Sequence, residues 1–245
     1  MNPRHLTSTG VRRRPFSVTD LSEPAHTDYP PAPWYSRGQL WFGLLATDQP
    51  PRVPPPLVPL ISTRHLALML IRYREGTLRY DEFMVASVVR RAHRVGLWTH
   101  HIWVDDPASL WGGRRIWGIP KRIAAFSWFG DRSKEHVRIR AETGPIAALN
   151  LSRPTGLRPA LPAIAGGFGE LDGDLTYFVG HLRGPVHRAA MSVTEWADVL
   201  PRLSRSTARP GIAVLPFRMT VCPPKRLGSL GVAAESGAAG VRDLA

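Results

Sequence analysis

Apolar residues along this chain come in short runs, and the runs are cut by glycine, proline and aspartate rather than continued at helical spacing. Ten of them have the length and the β-branched or aromatic content of strands: 39–47, 65–74, 81–90, 95–104, 122–129, 135–142, 146–151, 174–183, 185–193 and 212–221. Several are apolar on both faces, 83–89 being the clearest case. A strand of that kind needs cover on both sides. The pattern therefore predicts a β-rich domain whose sheet wraps around a core while its outer face is also covered.

Helical signals are few. Asp106 stands before Pro107 at a first helical position, which predicts a short helix over 106–110. Thr194 to Leu200, stopped by Pro201, predicts a second. Residues 152–170, with Pro154, Pro159, Pro162 and Gly166-Gly167, read as loop. Residues 1–27 are polar, basic and aperiodic, and predict a disordered tail. Residues 228–245 are rich in glycine and alanine and read as a second, flexible tail. One folded domain over 28–227 is expected between them, since no linker divides it and no repeat is present.

Composition narrows the class. A chain of 245 residues with 43% hydrophobic and 21% charged residues can bury one sizeable core. The single cysteine, Cys222, excludes an internal disulfide and a thiolate zinc cluster and fits a reducing cytoplasm. The net charge of +13 invites a nucleic-acid reading, yet the arginines are scattered singly and no recognition motif is present, so general affinity for anions is the better expectation. Arg13-Arg14-Pro15-Phe16 imitates a twin-arginine export signal, but the acids and prolines that follow it leave no apolar run. The best apolar stretch, 57–71, is broken by Pro59, Arg64 and His65, so no membrane span is expected.

One decapeptide carries the chemistry: Gly113-Arg114-Arg115-Ile116-Trp117-Gly118-Ile119-Pro120-Lys121-Arg122. Of the 32 basic residues 29 are arginine, so Lys121 is a departure from the background, shared only with Lys134 and Lys225. Arginine stays protonated at any working pH, whereas a desolvated lysine can lose its proton near neutrality and attack a carbonyl to form a Schiff base. Nearby Trp98, Trp103, Trp111, Trp117, Phe126 and Trp128 could supply a dry wall.

At these residues the chain resembles the acetoacetate decarboxylase-like family, whose signature runs roughly Gly-Arg-Glu-x-Trp-Gly-x-Pro-Lys-Lys with the first lysine as nucleophile. Pro30-Pro31-Ala32-Pro33-Trp34, Tyr80-Asp81-Glu82, Val104-Asp105-Asp106-Pro107-Ala108-Ser109-Leu110 and Phe217-Arg218-Met219-Thr220-Val221 are similar to further family landmarks, so the likeness spans about 28–227. It implies a mainly β (α+β) fold, an antiparallel sheet closed into a cone or barrel with few short helices. It also implies a lyase that forms a Schiff base with a keto acid, most simply a decarboxylase, working without metal or organic cofactor. A homo-oligomer is the expected assembly. Acetoacetate decarboxylase is itself a known example of a lysine activated by a neighbouring cation, so that activation comes with the resemblance.

The same resemblance assigns roles. Lys121 is the nucleophile. Glu82 shares a strand face with Met84, Ala86 and Val88, where a carboxylate is costly unless paired, and is the proton carrier. Arg122 stands where the family has a second lysine and keeps a fixed cation beside the nucleophile. Arg37 is similar in place to the arginine that holds the substrate carboxylate. Trp103, Trp117 and Ile119 are expected to line the substrate pocket. Two departures count against acetoacetate itself: Arg115 replaces the motif glutamate, and His65-Leu66-Ala67-Leu68-Met69-Leu70-Ile71 lacks the second cavity glutamate. An aldolase-, dehydratase- or cyclase-type reaction at the same lysine stays open, as does a non-catalytic module that binds small anions or nucleic acid. His93, His100 and His101 lack metal-ligand spacing, and Gly166-Gly167-Phe168-Gly169 lacks the strand-to-helix setting of a dinucleotide loop.

Overall fold

Strands rich in branched and aromatic residues on both faces need cover on both sides, and here a closed sheet with further strands folded over it supplies it. The computed structural model describes residues 29–230, apart from 62, 132, 133, 161 and 205–208. Its elements in chain order begin with β1 (Trp34–Ala46), β2 (Val58–Pro59), β3 (His65–Gly76), β4 (Tyr80–Arg91) and β5 (Arg94–Val104). A helix α1 (Pro107–Gly112) and a π-helical turn (Gly113–Trp117) follow, then β6 (Lys121–Ile123), β7 (Ala125–Asp131), β8 (Lys134–Ala141) and β9 (Gly144–Ser152). The chain continues through β10 (Thr155–Arg158), β11 (Ala163–Leu171), β12 (Asp174–Arg183), β13 (Val186–Trp196), β14 (Arg209–Val221) and β15 (Lys225–Ser229).

Seven strands close a barrel in the order β5-β4-β3-β1-β14-β12-β11, and β11 returns to β5 through a parallel pairing of Gly167 with Leu97 and Phe168 with Trp98. The sheet continues from β14 through β13, β9 and β8 to β7, which folds over the outside. Each face of β3 and β4 then has its own core. Leu66, Leu68, Leu70, Phe83 and Val85 pack against Val137, Ile139, Leu149 and Leu151 of the covering strands. Residues of the other parity, Ile71, Tyr73 and Tyr80, join Val104, Leu110 and Phe217. Truncating a fully buried side chain such as Phe83 to alanine should cost about 3–5 kcal/mol.

The structure corrects several expectations. Thr194 to Leu200 is not a helix: β13 runs to Trp196, pairs Glu195 with Ala148 and Trp196 with Ala147, and ends in a turn closed by Leu200 N–H to Ala197 O at 3.0 Å. Buried Met191 and Val193 continue the two-residue period, and seven residues of helical punctuation cannot outweigh that packing. Residues 152–170 hold β10 and β11 rather than loop alone. The Gly166-Gly167 pair that signalled a loop is where β11 seats on β5; a Cβ on Gly166 would lie 2.0 Å from Val95 O. The single strand expected over 122–129 is two, β6 and β7, and residues 228 and 229 belong to β15. The expected tail 1–27 and residues 231–245 lie outside the described residues. Among the described residues, no helix is long and apolar enough to cross a membrane.

Candidate active site

The motif lysine is placed by its glycines. Asp106 caps α1 by accepting the Ser109 amide at 2.7 Å, with Pro107 at the first position as expected. The helix passes into the π turn, which stops at Gly118 with φ +71°, a left-handed conformation suited to glycine. Ile119 N–H then donates to Gly113 O at 3.0 Å, folding the chain back so that β6 runs parallel to β5 with Lys121 beside Ile102. Gly113 faces the lysine stem: a Cβ there would lie 2.5 Å from Lys121 Cδ and 2.7 Å from Cε. Arg114 Nε donates to Lys121 O at 2.8 Å and fixes the backbone from the other side.

Lys121 is buried, 4% exposed. Its Nζ lies 2.8 Å from Glu82 Oε2 and donates to Ser109 Oγ at 2.9 Å. The Tyr80 ring lies 5.0 Å away and the Trp34 ring 5.9 Å away. Tyr73 OH donates to the other Glu82 oxygen at 3.3 Å, and the Tyr73 ring stacks on Tyr80 at 4.3 Å. The desolvation expected from the sequence is present and by itself lowers the lysine pKa. The Glu82 carboxylate and Tyr80 outweigh it, so the amine is held above its ordinary value. Burial pushes the Tyr80 phenol up to about 12, although the lysine works against it, and raises Tyr73 well above its ordinary value with the Glu82 charge adding to the effect. The result is a buried ion pair ringed by hydroxyls whose proton can pass between amine and carboxylate over one hydrogen bond.

Of the residues singled out in the sequence, the structure brings Lys121 and Glu82 into contact, sets Ile119 and Arg122 on a neighbouring cavity, and places Arg37 and Trp103 away from the amine. Arg122 follows Lys121 on β6 and is exposed on a cavity of about 410 Å³ that Arg114, Ile119, Trp98 and Phe168 also line. Its charge lowers the pKa of Arg114 and of His101, in each case after burial, whereas the shift of Lys121 is set by burial, Glu82 and Tyr80. Arg37 is on the outside of β1, 3.5 Å from Glu75 with both side chains at least half exposed, and not at the amine. Trp103 points into the outer core, stacked on Phe83 at 6.0 Å, because it is one residue out of phase with Ile102. Trp117 donates to Cys222 O at 2.9 Å and meets Trp34 edge-on at 4.7 Å, so it stands behind the ring that faces Lys121. Ile119 accepts the Lys121 amide at 2.8 Å and packs against Met84, Ala86 and Ile102.

Four residues around the amine had no role assigned from the sequence: Trp34, Tyr80 and Ser109, which stood only within family landmarks, and Tyr73. Tyr80 had a signal, since the alternation that aims Glu82 inward aims Tyr80 inward too. Ser109 was placed only in a landmark and a predicted helix, and its contact with Lys121 depends on where the π turn returns the chain. Among the described residues no group of three or more His, Cys, Asp or Glu side chains could hold a metal ion.

The sequence and the closed barrel are both matched by known proteins. The family model for acetoacetate decarboxylase (ADC) matches residues 52–215. The chain belongs to this family. It is similar to acetoacetate decarboxylase 1 of Bradyrhizobium diazoefficiens, 30% identical over 125 residues, and that match spans 46% of each protein, under half the relative's length. The fold is that of an acetoacetate decarboxylase from Legionella pneumophila, with a TM-score of 0.64 at 16% identity over 86% of this chain and 94% of that one. It is equally that of the enduracididine biosynthesis enzyme MppR, with a TM-score of 0.65 at 12% identity over 91% and 98%. An acetoacetate decarboxylase-like enzyme from Sphingomonas wittichii RW1 has a TM-score of 0.58 at 14% identity over 83% and 96%.

Proposed function

We propose that this family member is a Schiff-base-forming lyase that decarboxylates a keto acid through Lys121. The observation that carries the reading is the buried Lys121 amine 2.8 Å from the Glu82 carboxylate. Glu82 takes a proton from the ammonium as the ketone approaches, and the neutral amine adds to the carbonyl carbon. The carbinolamine hydroxyl leaves as water with the proton that Glu82 returns, giving an iminium. The electron pair of the breaking carbon–carboxylate bond moves into the iminium, carbon dioxide departs and an enamine remains. Protonation at carbon and hydrolysis then release the product and the amine. Proton transfer of this kind contributes about 10²–10⁴-fold. The proposal includes a cytoplasmic homo-oligomer that needs no metal or organic cofactor.

The test is borohydride reduction in the presence of a panel of 2- and 3-keto acids, with mass mapping of the modified residue. Lys121 is the expected site. Labelling at exposed Lys134 or Lys225, or at none across the panel, would sink the reading.

A second reading keeps the lysine and changes the bond made or broken, to an aldolase-, dehydratase- or cyclase-type step. Its support is the strand beside Glu82, where Ile71 and Met69 of β3 pair with Glu82 and Met84 and supply no second carboxylate. Structures of MppR hold pyruvate and the condensation product of pyruvate and imidazole 4-carboxaldehyde. Carbon dioxide release separates the two readings.

A further inference from the structure

The pairing of β1, β14 and β12 sets three arginines in a row. Arg37 is directly opposite Arg218, and Arg218 is directly opposite Arg183, so the three guanidiniums leave the same outer face of the barrel on adjacent strands. Arg74 joins them along a groove of about 760 Å³. Like charges directly across a sheet are destabilising, and the only carboxylate among the groove's described lining residues is Glu75. Its pairing with Arg37 is long and exposed, of the kind worth at most about 1 kcal/mol. Among the described residues, no side chain pairs with Arg74, Arg183 or Arg218.

We propose that this groove binds a small oligoanion, a molecule with two or more phosphate or carboxylate groups. The row covers two inter-strand steps, about 10 Å, which is wider than one such group can bridge. Guanidiniums suit both oxyanions through paired N–H donors. The same groove of a second copy is a poor occupant, since it would set arginines against arginines with only Glu75 between them. The groove is also separate from the amine. Phe217 lies between them, edge-on to Tyr73 at 5.9 Å, and Tyr73 in turn holds Glu82. Oligoanion binding is therefore independent of Schiff-base chemistry.

The experiment is isothermal titration at about 20 mM ionic strength, where screening between exposed charges is weak. The probes are tripolyphosphate, citrate, orthophosphate, acetate and a short oligothymidylate. The expected result is that tripolyphosphate or citrate binds at least tenfold more tightly than orthophosphate or acetate. The double variant R183Q/R218Q should weaken that binding about tenfold or more, while R138Q/R140Q, which removes the same charge from exposed positions on β8, should not. Lys121→Ala should retain binding, so a failed lyase reading leaves this result standing. Circular dichroism of each variant confirms the fold. The proposal is overturned if neither oligoanion outcompetes its single-group counterpart, if both double variants weaken binding equally, or if the groove variant abolishes oligothymidylate binding alone.

Discussion

Replacing Glu82 by glutamine tests the buried pair through stability as well as turnover. The variant leaves Lys121 buried beside a neutral amide. Two outcomes are open to the amine, and the cheaper one sets the penalty. Remaining charged and unpaired costs about 3–5 kcal/mol. Losing the proton costs about 1.4 kcal/mol for every unit by which the pH lies below the ordinary lysine value near 10.4, hence about 4–5 kcal/mol at pH 7 and about 1 kcal/mol at pH 9.5. In the wild type the raised lysine value has the opposite consequence. Its contribution is complete below the unfolded lysine value and is lost only as pH rises through the folded value, above the ordinary range. Wild-type stability from this pair is therefore flat between pH 7 and 9.5, while the deficit of Glu82→Gln should shrink from about 3–5 to about 1 kcal/mol over the same interval. Urea denaturation of wild type, E82Q and E82Q/K121M across that range measures it, and the double variant should recover most of the loss because neither partner is then left alone. A deficit under about 1 kcal/mol at pH 7, or one that does not change with pH, would refute the argument.

Three further outcomes are expected. Gly113→Ala puts a methyl group into the lysine stem, so borohydride labelling at Lys121 should slow at least tenfold and stability should fall by about 1–3 kcal/mol; unchanged labelling would mean the stem has another route to Glu82. Asp105, which accepts the Asp81 amide at 2.7 Å, has its carboxyl pushed up to about 6 by burial. A raised acid destabilises the fold above that value, so Asp105→Asn should be more stable than wild type by about 1–2 kcal/mol at pH 7.5, after allowance for solvent, with the gap closing as pH falls from 6 towards 4 in chemical denaturation. The apolar wall of Met69, Ile71 and Met84 predicts poor activity on acetoacetate and a rising kcat/KM along a series of longer keto acids, each methylene adding up to about 0.8 kcal/mol; a maximum at acetoacetate would contradict it.

The closed sheet was legible because strands apolar on both faces, such as 83–89, permit few other arrangements. The buried pair was legible in part, with Lys121 standing out as a rare lysine and Glu82 as a carboxylate on an apolar face. Its electrostatics were not. Sequence shows that Lys121 is surrounded by aromatics, but whether burial or a neighbouring charge decides its proton depends on a 2.8 Å contact between strands β4 and β6. Arg122 and Trp103 were misplaced for one shared reason: adjacent residues on a strand face opposite ways, so closeness to the motif in sequence is no guide to closeness in space. The Gly166-Gly167 pair misled in the other direction, since a strand that crosses another backbone closely needs the same residues as a loop.

The pairing that closes the barrel also sets a schedule. β1 is bonded to β3 on one edge and to β14 on the other, with Trp34 opposite Val221. On the ribosome the meander of β3, β4 and β5 can form as it emerges, yet the second edge of β1 has no partner until residues 209–221 have been made. At about 5–20 residues per second, that edge waits roughly 10–35 s. It carries Leu40, Trp41 and Leu45, side chains that end up almost wholly buried, so a nascent chain offers a long apolar strand edge for most of its synthesis. Yield of the folded protein should therefore depend on what shields β1 during translation at least as much as on the stability of the finished barrel.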